Sequence, residues 1–349
     1  MHLKTLISLA ILASTTVQAE SQLDIDYMPK QGYASTTGSK YVTSSIRKKI
    51  KPSQKIKDLD KRNFAGELIV QKLTNNSYWL QYGFYSTVFY VGDKGVLLMD
   101  PLAFGKGKKV LEGIRTVTDK PVTALIYSHN SSDHIEDAKV FVEDSKAKGV
   151  DIQIIATIQT AKLIRKNRKV PTPTILLSQE NGTFEFEDIT VTAHGLENTI
   201  KDQDNTVWLL NEEKVAHIPD LVNPDQVPFL GLAGAPSYDS YKMNLAELHS
   251  LDWTFLSGGH GDIGGKGDVQ FTQKYISDME QAVRTAYKEY RDQGLGNRQF
   301  NNHHAKWHAS SVYANRRAVE ILREKYGSIY GFEAAINSHM DMFVDPDHR

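Results

Sequence analysis

The sequence contains no cysteine among its 349 residues. Disulfide bonds, thiolate nucleophiles and cysteine-ligated zinc are therefore excluded, and any metal ion must be bound by histidine, carboxylate or weaker oxygen ligands. An excess of charge of one sign is also lacking, because 41 basic and 42 acidic residues leave a formal net charge of −1. Nucleic acid and anionic membrane surfaces are therefore not expected as partners.

Long hydrophobic runs are scarce as well. The apolar run from Leu6 to Ala13 follows the positive charge of Lys4 and precedes a small-residue cleavage site at Val17–Ala19. This run is too short to span a bilayer comfortably, and no later stretch reaches spanning length. Residues 1–19 therefore predict a cleavable signal peptide, and we expect an exported protein, periplasmic or secreted, with no membrane span.

The rest of the chain divides into three segments by composition. Residues 20–62 are polar and basic, which predicts an extended arm with a solvated basic face. Residues 63–265 contain short strand-forming runs interspersed with helical patterns, including a helix over roughly 134–147. Residues 266–349 are mostly helical in pattern, which predicts a helical C-terminal extension. Strand-rich halves with interspersed helices favour two sheets packed together and covered by helices.

The segment Ser128–His134 carries the strongest chemical signal in the chain. It directly follows the apolar run Val122–Tyr127 and contains His129, Asp133 and His134 within six residues. A strand that ends in such a loop places imidazole and carboxylate groups at the rim of a sheet. This combination of ligands suits a borderline divalent ion, zinc first among them.

The spacing of this loop resembles the H-x-H-x-D-H signature of the metallo-β-lactamase superfamily, except that Ser131 replaces the second histidine. Three further landmarks follow the family's order: a strand ending in Asp100, a hairpin segment ending in Asp220, and the glycine-flanked His260. The resemblance covers roughly residues 65–265. It implies an α/β fold, the αββα four-layer sandwich, to which the helical C-terminal region is added.

The resemblance also implies a set of metal ligands. One family site would be complete here, with Asp133, His134 and His260 as ligands and Asp220 beside it. The other site retains His129, but Ser131 offers only a neutral hydroxyl, which is a poor ligand for zinc. We therefore expect Zn²⁺ as the cofactor, as one or two ions, with another divalent metal as an alternative.

The sequence leaves the mid-chain ligand of the damaged site open. Counting back from Asp220 without gaps places Lys201 at that position, whereas a loop insertion would place His194 there. With Lys201 at this position, an ammonium group would occupy the place of the first metal and pair with Asp220 or with substrate. That alternative predicts one metal ion per chain. His217, within a predicted strand, is interpreted as a packed core histidine.

The function implied by the resemblance is hydrolysis by a metal-activated water. Asp133 or Asp220 would orient this water, and His129, if free of metal, would donate a proton to the leaving group. We expect a small-molecule substrate, namely an ester, lactone, amide or sulfate ester. The alternative is a degenerate relative that binds a ligand without turnover, because Ser131 weakens one metal site.

Three aromatic residues around Gly83 are candidate substrate contacts. The family has a loop at this position that overhangs the site, so Tyr82, Phe84 and Tyr85 are interpreted as contacts for an apolar substrate. The competing interpretation is that they pack in the core, as aromatic side chains in strands usually do.

Overall fold

Two β-sheets packed face to face form the centre of the molecule. The computed structural model describes residue 29 and residues 32–164, 170–196, 204–235 and 237–344. The predicted signal peptide lies outside the described residues. In each large sheet the spatial order of the strands follows their order in the chain.

A seven-stranded sheet forms the first half of the sandwich. Its strands are β3 (Leu68–Lys72), β4 (Ser77–Tyr82), β5 (Tyr85–Val91), β6 (Val96–Met99), β7 (Val122–Ile126), β8 (Gln153–Thr157) and β9 (Ile175–Leu177). A six-stranded sheet forms the second half. Its strands are β10 (Glu180–Phe186), β11 (Ile189–Gly195), β12 (Thr206–Leu210), β13 (Val215–His217), β14 (Phe255–Ser257) and β15 (Ile263–Gly264). A small parallel sheet precedes both and contains β1 (Lys40–Val42) and β2 (Gln54–Ile56).

Helices cover the outer faces of the two large sheets. The helices of the first half are α1 (Leu59–Ala65), α2 (Gly107–Arg115), α3 (Ser132–Ile135), α4 (Ala138–Ala147) and α5 (Ile158–Ile164). Those of the second half are α6 (Tyr238–Ser250), α7 (Lys266–Asp292), α8 (His303–Tyr326) and α9 (Phe332–Val344). A left-handed turn at Leu230–Gly234 precedes α6, and a short 3-10 helix at Leu295–Asn297 joins α7 to α8.

The hydrophobic core has three layers. The central layer lies between the sheets and joins Trp79, Val88 and Leu97 from the first sheet to Trp208 and Phe255 from the second. The second layer packs α2, α4 and α5 onto the outside of the seven-stranded sheet. The third packs α6 and the C-terminal helices onto the outside of the six-stranded sheet. The structure is thus the predicted αββα sandwich with an added helical C-terminal region.

The helix predicted over roughly 134–147 is two helices in the structure. The backbone N–H of Leu102 donates a hydrogen bond to the carbonyl of His134, and the N–H of Asp137 donates to the carbonyl of Leu102. The His134 carbonyl therefore accepts from a neighbouring segment at the point where a continuous helix would use it. This interruption separates α3, which carries the signature residues, from α4.

The basic N-terminal segment is not solvated throughout, contrary to the prediction. Most of its lysines are exposed, but Lys55 and Arg62 are buried. Lys55 forms an ion pair with Asp268 of α7, and Arg62 forms one with Asp262. Burial of these two cations is possible because each has a carboxylate partner from the distant C-terminal half.

In the part of the chain that the structure describes, no helix combines the length and the apolar character needed to cross a membrane.

Candidate metal centre

Parallel strand pairs bring the predicted site residues to one edge of the sandwich. In the first sheet β6 and β7 are parallel neighbours, so their carboxyl ends meet at the same edge. Asp100 follows β6, and the segment Ser128–His134 follows β7. In the second sheet β13 and β14 are also parallel. Asp220 follows β13, and His260 follows β14.

Backbone contacts join the two halves of this edge. The N–H of Ser86, on β5, donates a hydrogen bond of 2.7 Å to the carbonyl of Gly259. The N–H of Asp220 donates to the carbonyl of Gly258 at 3.0 Å. Asp220 itself has a φ of 73°. A non-glycine residue held in this left-handed region carries backbone strain, which is often found at functional sites.

Five predicted residues converge there in two overlapping groups of potential ligands: His129, His134 and Asp220; and Asp133, His134 and His260. Within each group the ligand atoms lie within 4.8 Å of one another. Asp220 is close to all three histidines: its carboxylate oxygens lie 3.3 Å from His129 Nε2, 3.7 Å from His134 Nε2 and 3.2 Å from His260 Nε2. Asp133 Oδ2 lies 3.6 Å from His134 Nε2 and 3.8 Å from His260 Nε2.

These separations fit a bound cation better than direct hydrogen bonds. Most are longer than an N–H···O hydrogen bond, which is about 2.7–3.2 Å. Four ligands at zinc bond lengths of about 2.0–2.1 Å in tetrahedral geometry have their donor atoms about 3.3–3.4 Å apart. The nitrogens of His134 provide an independent test, because the ring is fully buried and neither nitrogen has a hydrogen-bond partner among the described residues. An orphaned buried imidazole that faces two carboxylates is the environment of a metal ligand.

The two other histidines are oriented by groups outside the cluster. Nδ1 of His260 donates a hydrogen bond of 3.0 Å to the backbone carbonyl of Phe84. Its Nε2 therefore carries the lone pair in the neutral ring and faces the carboxylates. Nδ1 of His129 shares a hydrogen bond of 2.9 Å with Ser128 Oγ, so its Nε2 likewise faces Asp220. Such outer hydrogen bonds fix the tautomer of metal-binding histidines.

Asp100 is a buried carboxylate that contacts the cluster from the interior of the protein. It is fully buried, accepts a hydrogen bond of 2.8 Å from the N–H of Ser128, and contacts His217 Nε2 at 2.9 Å. His134 Nδ1 lies 3.7 Å from the same carboxylate. Burial raises the pKa of Asp100, but the hydrogen bond and charge of His217 outweigh it and hold this pKa below its ordinary value. The buried His217 that the sequence predicts is therefore also a link between the two sheets.

The carboxylates shift the titration of His129 in the metal-free protein. Burial lowers its pKa, but the hydrogen bond and charge of Asp220, with the charges of Asp100 and Asp204, outweigh burial and raise it to about 9. Burial likewise raises the pKa of Asp220, whereas its contacts with the three histidines hold it well below the ordinary range. A metal ion that binds to His129 must therefore displace a proton.

Ser131 acts within the cluster through its neighbour. Its hydroxyl donates a short hydrogen bond to Asp133 Oδ1. The opposite oxygen, Oδ2, is the one that faces His134 and His260. The residue that replaces the second signature histidine therefore orients a candidate ligand.

The remaining predicted residues have different positions. His194 is not in the cluster, because its ring nitrogens bond Asn181 Oδ1 at 2.7 Å and Glu247 Oε1 at 2.9 Å. The alternative of His194 as the mid-chain ligand is therefore wrong in this structure. Lys201, the other alternative, lies outside the described residues. The Tyr82 hydroxyl points towards Gly66 at the end of α1, so the structure does not group it with the site histidines.

Phe84 and Tyr85 do lie at the cluster. Their ring centroids are 4.4 Å and 5.0 Å from that of His260. Burial and the charges of Asp133 and Asp220 raise the pKa of Tyr85. Both side chains are half-buried, and Tyr85 also packs against the outer core layer of the first sheet, so for Tyr85 the interpretation as a core residue holds in part.

Two polar residues at the site, Asp204 and Asn244, are not predicted from the sequence. A cavity of about 330 Å³ opens beside His129 and Asp220 and is lined by Asp204 and Asn244 among others. Asp204 is buried and accepts a hydrogen bond of 2.7 Å from the N–H of Asn130. Asn244 Oδ1 is buried and has no hydrogen-bond donor among the described residues. Asp204 lies two residues before β12 and Asn244 lies on α6, so only the three-dimensional structure brings them to the loop.

Comparisons with known proteins identify the architecture. No family model matches the chain. The metallo-beta-lactamase from Pontibacter korlensis matches with a TM-score of 0.50 and 20% identity, over 60% of this chain and 99% of that one. The metallo-beta-lactamase IND-7 matches with a TM-score of 0.50 and 20% identity, over 60% of this chain and 98% of that one.

A curated relative matches a shorter segment. The linear primary-alkylsulfatase of Pseudomonas sp. (strain ATCC 19151) is 33% identical over 64 residues, which are 18% of this chain. The chain thus spans only 12% of the length of that enzyme. The structural matches cover nearly the whole of both lactamases. The protein described here therefore has the metallo-β-lactamase fold.

Proposed function

We propose that this protein is an exported, metal-dependent hydrolase that acts on a small ester, lactone, amide or sulfate ester. The observation that carries the proposal is the environment of His134. Its buried Nε2 has no hydrogen-bond partner in the part of the chain that the structure describes, and it lies 3.6 Å and 3.7 Å from carboxylate oxygens of Asp133 and Asp220. A site so arranged favours a divalent cation, and its nitrogen and oxygen ligands favour zinc.

Each residue around the proposed metal ion has a role in the proposed reaction. A divalent metal bound there lowers the pKa of a water molecule and polarises the acceptor oxygen of a substrate. Asp133 and Asp220 remain partly exposed, so their carboxylates can accept hydrogen bonds from the attacking water and orient it. With the ion in the group of Asp133, His134 and His260, His129 stays free to donate a proton to the leaving group.

The site suits more than one class of ester. Carbonyl and sulfate esters both present an acceptor oxygen and a leaving group to such a site. The local similarity to a linear primary-alkylsulfatase adds sulfate esters to the substrates to test. The cavity beside His129 provides space for a polar part of the substrate, and the buried Asn244 Oδ1, which has no donor among residues 32–164, 170–196, 204–235 and 237–344, can accept a hydrogen bond from it.

The test combines metal analysis with a substrate panel. The purified full chain is assayed for bound metal and for hydrolysis of p-nitrophenyl acetate, a γ-lactone, a p-nitroanilide and p-nitrophenyl sulfate. We expect zinc to co-purify, and turnover of at least one substrate to stop on chelation and return with zinc. The Asp220→Asn variant should lose more than about 100-fold in kcat/KM, because even outer partners of metal ligands contribute about 10–100-fold. Asp252→Asn, at an exposed ion pair with Lys214, is the matched control.

Two outcomes would contradict the proposal. Turnover that survives both chelation and Asp220→Asn would exclude the metal mechanism. Bound zinc with no turnover of the whole panel would favour the alternative, a protein that binds a ligand at this site without hydrolysing it.

A further inference from the structure

A band of apolar side chains borders the metal centre. It consists of Phe84, Tyr85, Phe104, Phe229 and Leu230 and is called the aromatic rim below. Phe84 and Tyr85 contact the ring of His260, as described above. The ring of Phe229 continues from Phe84 with a centroid distance of 5.9 Å, and that of Phe104 continues from Tyr85 at 6.1 Å.

The outer members of the rim are exposed to water. Phe104 is 62% exposed, Phe229 48% and Leu230 49%. Single exposed apolar residues are common, but large ones joined by ring contacts into one surface mark a binding site. Because this surface is continuous with His260, a molecule bound on it reaches the metal centre.

The backbone beneath the rim is strained at both ends. Phe104 has a φ of 59°, and Leu232 and Ala233, in the turn that follows Leu230, have φ values of 51° and 58°. Each non-glycine residue in this region costs on the order of 1 kcal/mol or more, and such strain persists where function requires it. A strained backbone persists only where surrounding contacts impose it, so contacts on both sides of the rim must hold these two segments.

The C-terminal helix α9 holds the second half of the rim. The N–H of Gly231 donates a hydrogen bond of 3.0 Å to Ser338 Oγ. His339 Nε2 donates one of 2.9 Å to the carbonyl of Phe229, while His339 Nδ1 accepts one of 3.0 Å from the Tyr275 hydroxyl. The C-terminal helical extension is not part of the αββα sandwich. Through these hydrogen bonds it is nevertheless connected directly to the rim of the site.

On the first half of the rim, Lys106 fixes the rings from one side. Its ammonium nitrogen lies 4.6 Å from the centroid of Tyr85 and 4.8 Å from that of Phe104. Cation–π contacts at these distances favour a fixed ring orientation. Both halves of the rim are thus held in position before any ligand arrives.

We propose that the aromatic rim binds a straight acyl or alkyl chain of the substrate, and that Ser338 is a positioning residue that holds the rim from the C-terminal helix. The choice of an acyl chain rests on the proposed hydrolase function. A chain is favoured over a protein partner because unbroken ring contacts lead from the exposed Phe104 and Phe229 through Tyr85 and Phe84 to His260, so a ligand on the rim is within reach of the metal centre. Specificity would then increase with chain length until the rim is covered.

Binding of straight-chain alkanoates tests the rim without turnover. Calorimetry with the zinc-loaded full chain should show affinity rising about two- to fourfold per methylene between butanoate and octanoate, as burial of each CH₂ requires. The double variant Phe229→Ser/Leu230→Ser should flatten this dependence. Trp307→Ser, which removes a more exposed aromatic side chain (64%) that contacts His303 and His304 on α8, should leave it unchanged.

Kinetics tests the positioning role of Ser338. With Ser338→Ala, we expect KM for p-nitrophenyl octanoate to rise about tenfold, which corresponds to about two methylenes of lost contact. The kcat for p-nitrophenyl acetate should stay unchanged, which a general loss of structure would not allow. Ser310→Ala, which removes an exposed hydroxyl bonded to the Trp307 carbonyl, is the control.

The outcomes separate this inference from the proposed function. Equal affinity for alkanoates of all chain lengths would contradict binding of the chain on the aromatic rim. A loss of the chain-length dependence in Trp307→Ser as well would contradict it too. Affinity that depends on chain length, without hydrolysis of any ester, would support chain binding on the aromatic rim and contradict the proposed hydrolase function. Ester hydrolysis whose rate does not depend on chain length would support the hydrolase function and contradict chain binding on the aromatic rim.

Discussion

Ser131 lies between His129 and α3, where its hydroxyl donates a hydrogen bond to Asp133 Oδ1. Histidine at this position would offer a second imidazole to one metal, whereas serine orients the carboxylate that faces the other group of ligands. A single cation held by Asp133, His134 and His260 is the arrangement that this exchange favours.

Removal of this hydroxyl gives a prediction at the scale of one residue. Ser131→Ala should lower kcat/KM about tenfold, the lower end of the effect of outer partners of metal ligands, because Asp133 loses the bond that orients it. Ser131→Thr retains the hydroxyl and should recover most of the activity. Steady-state kinetics with equal bound zinc in all three proteins is the measurement, and an unchanged Ser131→Ala protein would show that the bond has no role.

Gly259 gives a second prediction, because its backbone approaches the cluster closely. It has a φ of 75°, and a Cβ at this position would lie 2.7 Å from His134 Cε1 and 2.8 Å from Pro219 Cβ. Gly259→Ala should therefore displace His134 and weaken zinc binding in addition to the cost of the left-handed backbone, which is about 1–3 kcal/mol. Gly149→Ala shares a positive φ but has open space around it, so it should lose stability alone. Zinc affinity that falls equally in both variants would contradict the contact with His134.

The sequence predicts the convergence of five site residues through its resemblance to the metallo-β-lactamase superfamily, and the structure gives the physical reason. Each of the segments that hold them follows a short apolar run, and the ends of parallel strands share an edge. Asp204 and Asn244 could not be found in this way, since neither follows such a run next to another candidate ligand. The hydrogen bond of Ser131 depends on side-chain geometry, which spacing does not report.

At the scale of elements, α9 is linked to the site through one buried histidine. His339 is fully buried between the Tyr275 hydroxyl and the Phe229 carbonyl. Burial lowers its pKa to about 4, because the charged ring would lose hydration that its two neighbours do not replace. The pattern of the C-terminal residues predicts the helix, but not the contact of its histidine with a turn more than 100 residues earlier.

This shift predicts a pH dependence of stability. The folded pKa of His339 lies below the value of about 6.5 expected in the unfolded chain, so the unfolded state binds more protons between these values. Its contribution is fully present above about pH 6.5 and is lost as the pH falls towards 4, by about 3 kcal/mol. Urea unfolding of the metal-free protein at several pH values measures it.

The matched variants isolate this histidine from the site histidines. His339→Gln should be less stable at pH 7 but should lose this part of the pH dependence, whereas His308→Gln on the exposed side of α8 should keep it. If wild type and His339→Gln lose the same free energy of unfolding between pH 7 and pH 4, the neutral buried ring is not the cause.

At the scale of the whole molecule, buried ion pairs join the N-terminal segment to the C-terminal half. Lys55 Nζ lies 2.7 Å from both carboxylate oxygens of Asp268 and 2.8 Å from the carbonyl of Ile263. Arg62 pairs with Asp262, two residues after the candidate ligand His260. Composition could not predict these pairs, because a basic stretch is usually solvated and the partners lie about 200 residues away. The sandwich itself could be predicted, since strand patterns and the order of the landmarks are local properties.

Removal of the Lys55 charge tests the link between the N-terminal segment and α7. Lys55→Met should destabilise the protein by about 3–5 kcal/mol, because it leaves the carboxylate of Asp268 buried without its cation. The double variant Lys55→Met/Asp268→Leu should recover only part of this loss, because it removes the unpaired charge but also takes the acceptor from the backbone N–H groups of Asp225 and Gly265. Lys61→Met, which removes an exposed ion pair with Asp58, should change stability by less than about 1 kcal/mol. Urea unfolding of the metal-free proteins decides between these expectations: a Lys55→Met protein as stable as Lys61→Met would mean that the N-terminal segment is not held to α7 by this charge pair.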